Sequence, residues 1–236
     1  MTVRIIFDNY ASSGFVSGWG ISYWVGEDML FDTGENFAYL RKNAKIMGLD
    51  FARLSKIALS HEHWDHTGGL EGILKLNRQI TVFVPAGFSE AFKEKTASLA
   101  KKLVLVNSFV EISESIFLSA PLGTNYKDLQ LEESYLVINS KKGLVLLCGC
   151  SHPGIVNMVK QAKDYFRKDI YAVLGGFHLL NTEKRIIEVT AEELKKSGVK
   201  FAGPSHCSGQ KARDIFRRIY ADNFLEVEIG KIFPFD

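Results

Sequence analysis

No stretch of this chain of 236 residues approaches the ~20 consecutive apolar residues that a membrane-spanning helix needs. Cysteine is scarce: Cys148, Cys150 and Cys207 are an odd three, which argues against a disulfide framework. Charge of one sign is lacking too. The formal net of +2 is too small for an electrostatic footprint on nucleic acid or on a membrane surface, so neither is expected as a partner. There is no run of like charges, no low-complexity tract, no linker rich in Gly, Pro or Ser, and no internal repeat. A single domain over residues 1–236 is therefore expected. Residues 1–8 read as a strand that starts at once, without the basic start, apolar middle and small-residue cleavage site of a signal peptide. A cytoplasmic location is the expectation.

What is present is an average soluble composition, 46% apolar and 24% charged, cut into short apolar runs that alternate with amphipathic stretches. The runs predict strands at 2–7, 20–25, 29–31, 56–59, 80–84, 103–106, 115–118, 135–139, 144–148, 170–174, 199–202 and 225–229. Helices are predicted at 37–47, 68–76, 89–101, 153–167, 182–196 and 208–220, with Pro153 suited to a first helical position. Lys141-Lys142-Gly143 reads as a hairpin turn. Strands cluster in both halves with helices after them, which favours an α/β arrangement of two packed sheets with helices outside over one doubly wound sheet.

Histidine is rare, and none is scattered. His61, His152, His178 and His206 each lie just beyond an apolar strand candidate, and His63 and His66 complete the string His61-Glu-His-Trp-Asp-His66. Neighbouring strands that run the same way would bring these loops to one edge of a rigid scaffold. Neutral imidazole and carboxylate are the ligands that Zn²⁺, Mn²⁺ and Fe²⁺ accept. His61 and His63, two apart, can grip one ion; Asp65 and His66 can reach a second. Two ions ~3.5–4 Å apart can share a water, acidify it and clamp a developing oxyanion.

His61-x-His63-x-Asp65-His66 resembles the signature of the metallo-β-lactamase superfamily, and Phe31-Asp32-Thr33-Gly34 is similar to its upstream segment. Gly149-Cys-Ser-His-Pro-Gly154, Gly175-Gly-Phe-His-Leu179 and Ser205-His-Cys-Ser-Gly209 narrow the resemblance further. They point to a branch that includes dihydropterin–ribofuranosylaminobenzene phosphate synthases and metal-dependent hydrolases. The resemblance implies an αββα sandwich, two mixed sheets flanked by helices, with two divalent ions at one edge. Zinc is the first expectation, with manganese or iron open. One ion would take His61, His63 and His152, the other Asp65, His66 and His206. Most of the superfamily has a bridging Asp after the strand that here ends in Gly175-Gly-Phe-His178; His178 either substitutes on one metal or faces substrate. Asp32 either fixes a ligand histidine or loop backbone, or caps the segment after it. The cysteines read as small buried packing residues, with metal ligation the minor alternative. Trp64 either walls the pocket or packs its loop.

The expected activity is that of a metal-dependent hydrolase, which activates water against an ester or phosphoester-like small molecule. Asp65 would orient the water and pass protons, and His178 would assist. The alternatives are a pterin-condensing synthase with the same metals and a non-catalytic metal-dependent binding protein. Only 27 residues separate His178 from His206, too few for the inserted domain of the nucleic-acid-processing branch. Ser208 and Gly209, followed by Lys211 and Arg213, suggest a helix start that holds a substrate phosphate. The plainer reading is that Ser208 only caps the helix and both cations are solvated.

Overall fold

The computed structural model describes residues 1–126 and 129–235, in which the apolar runs form two large mixed sheets stacked face to face with helices on their outer sides. The N-terminal half supplies strands β1 (Thr2–Phe7), β2 (Ser22–Val25), β3 (Met29–Phe31), β4 (Lys56–Ala58), β5 (Thr81–Pro85) and β6 (Lys102–Val106). Its helices are α1 (Phe37–Ile46), α2 (Trp64–Thr67), α3 (Leu70–Leu76) and α4 (Glu90–Leu99). The C-terminal half contributes β7 (Val110–Ser113), β8 (Ile116–Leu118), β9 (Leu122–Tyr126), β10 (Leu129–Glu133), β11 (Leu136–Ser140), β12 (Gly143–Cys148), β13 (Ile170–Gly176) and β14 (Phe201–Ser205). With it go α5 (Ile155–Phe166), α6 (Lys184–Lys196) and α7 (Gly209–Tyr220). The last strand, β15 (Ile232–Pro234), returns to pair antiparallel with β1.

The first sheet has the order β15-β1-β2-β3-β4-β5-β6 and the second β14-β13-β12-β11-β8-β7, with β9 and β10 as a separate hairpin. Alternation along each strand sorts its side chains between layers. Val145 and Leu147 of β12 enter the core between the sheets with Ile5, Tyr23, Phe31 and Leu174. Leu144 and Leu146 of the same strand point the other way, against Met158, Ala162, Ile187 and Ala191 of α5 and α6. A strand buried on both faces needs apolar residues at every position, and β12 has them. The opposite outer layer packs Leu40, Ala44, Ile73 and Leu74 on Ile6, Trp24, Leu30 and Ile57. Strands β3, β4 and β5 are mutually parallel, as are β12, β13 and β14. Their C-terminal ends therefore deliver loops to one edge. Among the described residues, no helix is long and apolar enough to cross a membrane.

Several elements depart from the expectations. No strand forms at 225–229: Leu225 donates to Ala202 O and Ile229 to Tyr10 O, so the segment bridges two different edges and makes only isolated pairings. Its apolar character comes from burying Val227 and Ile229. The helix expected at 68–76 forms as α3 from Leu70, and an unexpected single turn, α2, precedes it; the two are separated at Gly68-Gly69, where a Cβ would overlap the Glu35 and Thr33 carbonyl oxygens. Pro153 is not in a first helical turn; α5 starts at Ile155 after Gly154, whose φ of 93° turns the chain. Strands β7, β9, β10 and β15 were not anticipated.

Gly20 ties this frame to the His61–His66 loop: it sits at φ 123°, and a Cβ there would run into Asp65 O. Gly20→Ala is expected to cost about 2–4 kcal/mol through backbone strain and overpacking. Thermal unfolding would register that as a fall in Tm of roughly 5–15 °C. Gly123→Ala, whose Cβ would meet nothing within 4 Å, should leave Tm unchanged.

Candidate metal centre

Four loops meet at the shared edge. The first follows β4 and carries His61 and His63, then tightens into the single turn of α2, which presents Asp65 and His66. The loops after β12, β13 and β14 bring His152, His178 and His206. Asp32, Ser151, His178 and His206 all have positive φ, between 47° and 62°. For residues with a Cβ that is an unfavourable conformation, concentrated here on the loops of one site.

Four of the six rings are held from behind. Asp32, wholly buried at the end of β3, accepts the Ser60 N–H at 2.7 Å, takes the Ser60 hydroxyl at 2.7 Å and lies 2.7 Å from His66 Nδ1. Ser60 Oγ is in turn 2.8 Å from His61 Nδ1. Glu133, also wholly buried, accepts the backbone N–H groups of Cys150, Ser151 and His152 and pairs with His152 Nδ1 at 2.8 Å. Asn9 Oδ1 lies 2.9 Å from His206 Nδ1. With Nδ1 engaged, His61, His66, His152 and His206 each turn Nε2 toward a common centre. Such partners fix ring orientation and raise ligand basicity.

The donors form two neighbouring sets. Asp65, His66, Cys150 and His206 each offer a ligand atom within 4.8 Å of the others, and His61, Cys150 and His152 do the same. His63 stands beside the second set rather than within it, with Nδ1 3.0 Å from His61 Nε2. His178, Cys150 and Cys207 make a third grouping at the mouth. The spacing bears on occupancy. Asp65 Oδ2 lies 3.5 Å from His66 Nε2 and 3.3 Å from His206 Nε2. Ligands at ordinary zinc distances, placed at tetrahedral angles, are separated by about 3.3–3.6 Å. The donor set therefore fits a divalent ion in type and in spacing.

The electrostatics agree. Burial and the adjacent imidazoles push His61 down, keeping it neutral and able to ligate; burial likewise lowers His63. For His66 burial works against the charge, but Asp32, Asp65 and Glu133 outweigh it and the ring is pushed up to about 9. Burial also opposes ionisation of Asp65 and Glu133, yet contact with His206 and His66 holds the first below the usual carboxylate range, and His152 with two backbone N–H groups holds the second. A field that draws a proton onto a buried imidazole also favours a cation at the centre. Cys148 is different: burial pushes its thiol up, and it packs among apolar side chains.

A cavity of about 470 Å³ opens onto the centre, walled by Trp19, Trp64, Tyr126, Leu131 and His178. Trp64 is largely exposed and forms part of this wall. His178 is exposed, its ring 4.5 Å from that of His152 and 5.6 Å from that of Tyr126. Ser208 does not cap α7; its hydroxyl accepts the Phe177 N–H and lies 3.4 Å from Gly175 O. Lys211 donates to Thr182 O. Arg213 is buried, donates to Val227 O, pairs with Glu226 and lies over the Tyr10 ring. Neither cation lines the cavity, because both are spent on the protein itself, and Gly209 packs against Leu180.

Sequence reasoning missed Asn9, Ser60, Tyr126 and Glu133, and put packing first for Cys150, with metal ligation the minor alternative. Glu133 and Tyr126 lie on the β9–β10 hairpin, whose mixed polar sequence carries no apolar run. Asn9 has no local signal at all.

A family model described as the Beta-lactamase superfamily domain matches residues 27–116. A Methanocaldococcus jannaschii protein named 7,8-dihydropterin-6-methyl-4-(beta-D-ribofuranosyl)-aminobenzene-5'-phosphate synthase is 31% identical, over 99% of this chain and 96% of its own length. Among solved structures, a metal-dependent hydrolase of the beta-lactamase superfamily superposes with a TM-score of 0.83 at 27% identity, covering 99% of this chain and 98% of that one. The metallo-β-lactamase fold protein YhfI of Bacillus subtilis reaches 0.69 at 14% identity over 99% of both chains, a likeness of fold.

Glu133→Gln keeps the shape of the side chain and removes its charge. Metal affinity, measured by competition with a chromophoric chelator, should fall about 10–100-fold. An affinity equal to wild type would reduce Glu133 to a brace for the loop after β12.

Proposed function

The chain belongs to the metallo-β-lactamase superfamily, and we propose that it is a metal-dependent hydrolase that holds two divalent ions and acts on an ester or phosphoester-like small molecule. The observation that carries this reading is the pair of adjoining donor sets, with the Nδ1 atoms of His61, His66, His152 and His206 tied back by Ser60, Asp32, Glu133 and Asn9. One ion would take His61, His63 and His152, the other Asp65, His66 and His206, with zinc the metal that best suits nitrogen-rich tetrahedral sites. When bound, such ions supply Lewis acidity, acidifying water and stabilising a developing oxyanion.

The residues of this chain do the rest. Asp65, ionised and nine-tenths buried or more, orients water at the centre and takes its proton. His178, at the cavity mouth beside His152, is placed to contact the substrate or the leaving group. Trp19, Trp64 and Tyr126 form apolar walls that exclude bulk water and suit a planar substrate. Lys211 and Arg213 point elsewhere, so any phosphate on the substrate would be neutralised at the metal centre itself.

A second reading, a synthase that joins a pterin to an aminobenzene ring, is favoured by the name of the Methanocaldococcus relative and its near-complete coverage. It would use the same ions and differ only in the pocket.

Two outcomes separate these readings. Purified protein should carry up to two transition-metal ions per chain, and His61→Ala and His206→Ala should each lower that content while the far-ultraviolet circular dichroism stays native. Unaltered stoichiometry in both variants would remove the site assignment. Fully metallated protein should then hydrolyse members of a panel of carboxylic and phosphate esters. Inactivity across the panel, with joining of a dihydropterin to a ribofuranosylaminobenzene phosphate, would replace the hydrolase by the synthase.

A further inference from the structure

Where β13 ends in Gly175-Gly176 and leads to Phe177 and His178, none of these four residues is a carboxylate. The space between the two donor sets is filled instead by sulfur. Cys150 is 4% exposed, and its Sγ lies 3.3 Å from His66 Nε2 and 3.4 Å from His206 Nε2. The same sulfur is within 4.8 Å of the ligand atoms of His61 and His152, so it belongs to both sets. A packing cysteine adjoins carbon, as Cys148 does among Leu144, Leu146 and Val173; Cys150 adjoins the ring nitrogens of His66 and His206 and the Asp65 carboxylate.

We infer that Cys150 is a metal ligand of this centre, its thiolate completing the second ion's set with Asp65, His66 and His206 on the side that faces the first ion. This rests on the metal-centre reading above and deepens it. A thiolate 2.3 Å from zinc and an imidazole 2.0–2.1 Å from it, at a tetrahedral angle, are separated by about 3.5 Å, and the observed sulfur–nitrogen separations fall just inside that value. On binding, the sulfur–metal bond forms and the thiol proton leaves to solvent. The consequence is selectivity: a soft thiolate in place of a hard carboxylate favours zinc, cobalt or iron over manganese and magnesium. Cys207 is not the ligand, since its thiol is directed at Cys150 O, 3.5 Å away.

The test is cobalt(II) substitution of the full chain, followed by near-ultraviolet absorption and metal counting. Wild type should bind two cobalt ions and show a thiolate-to-cobalt charge-transfer band. The band should vanish in Cys150→Ser and persist in Cys207→Ser. Affinity for the second ion should drop at least 10-fold in Cys150→Ser. Cys150→Asp keeps the test open if the serine variant folds poorly: it should bind two ions without the band and accept manganese more readily than wild type does. Two bound cobalt ions with no such band in wild type, or a band that survives Cys150→Ser, would overturn the inference and leave the metal centre standing. Failure of wild type to bind cobalt at all would overturn both.

Discussion

Two buried carboxylates, Asp32 and Glu133, carry the structural weight of this site. Each sits where an anion is expensive, and each is repaid only by several hydrogen bonds at once. Asp32 holds the loop after β4 through the Ser60 backbone and hydroxyl and reaches His66 directly. Glu133 holds the loop after β12 through three consecutive backbone N–H groups and His152. One anchor follows β3 of the first large sheet and the other ends β10 of the small hairpin, so the two halves of the donor set are aligned by strands rather than by the loops that bear them. That explains how residues with strained φ, such as Ser151 and Asp32 itself, persist: the surrounding bonds over-determine them.

The parallel strands explain why the ligands gather. Because β3–β5 and β12–β14 each run in one direction within their sheets, every loop that leaves their C-terminal ends emerges on the same edge. The same geometry demands residues without side chains where loops cross. Gly175 and Gly176 lie against Cys148 O and Gly149 O, so the loops after β12 and β13 touch backbone to backbone beneath the rings.

This also separates what the amino-acid sequence made legible from what it hid. His61, His152, His178 and His206 could be read because each ends an uninterrupted apolar run, and a run buried on both faces has few alternatives. Asp32 could be read by its place beside Thr33-Gly34. Glu133 could not, since its hairpin is half exposed and its alternation weak, and its value lies in a contact with residues 150–152 that only the fold creates. Arg213 misled in the opposite way. A cation near a helix start suggested an anion from outside, but the charge is answered by Glu226, Val227 O and the Tyr10 ring. The 225–229 segment misled by composition, since burial of Val227 looks the same in a strand and in a strap between two edges.

Chemistry and specificity are thereby assigned to different parts of the molecule. The donor sets stand on the two sheets and are braced by buried anions, so they can change little without unfolding a loop. The walls of the cavity are Trp19, Trp64, Tyr126 and Leu131, which come from a lead-in segment, a single helical turn and the small β9–β10 hairpin. None of these belongs to the two large sheets. Glu133 joins the two regions: it ends β10 and also grips the His152 loop. Whatever shape of substrate the hairpin selects is therefore presented at a fixed register to the proposed ions, because the strand that carries the wall also carries the anchor of the centre.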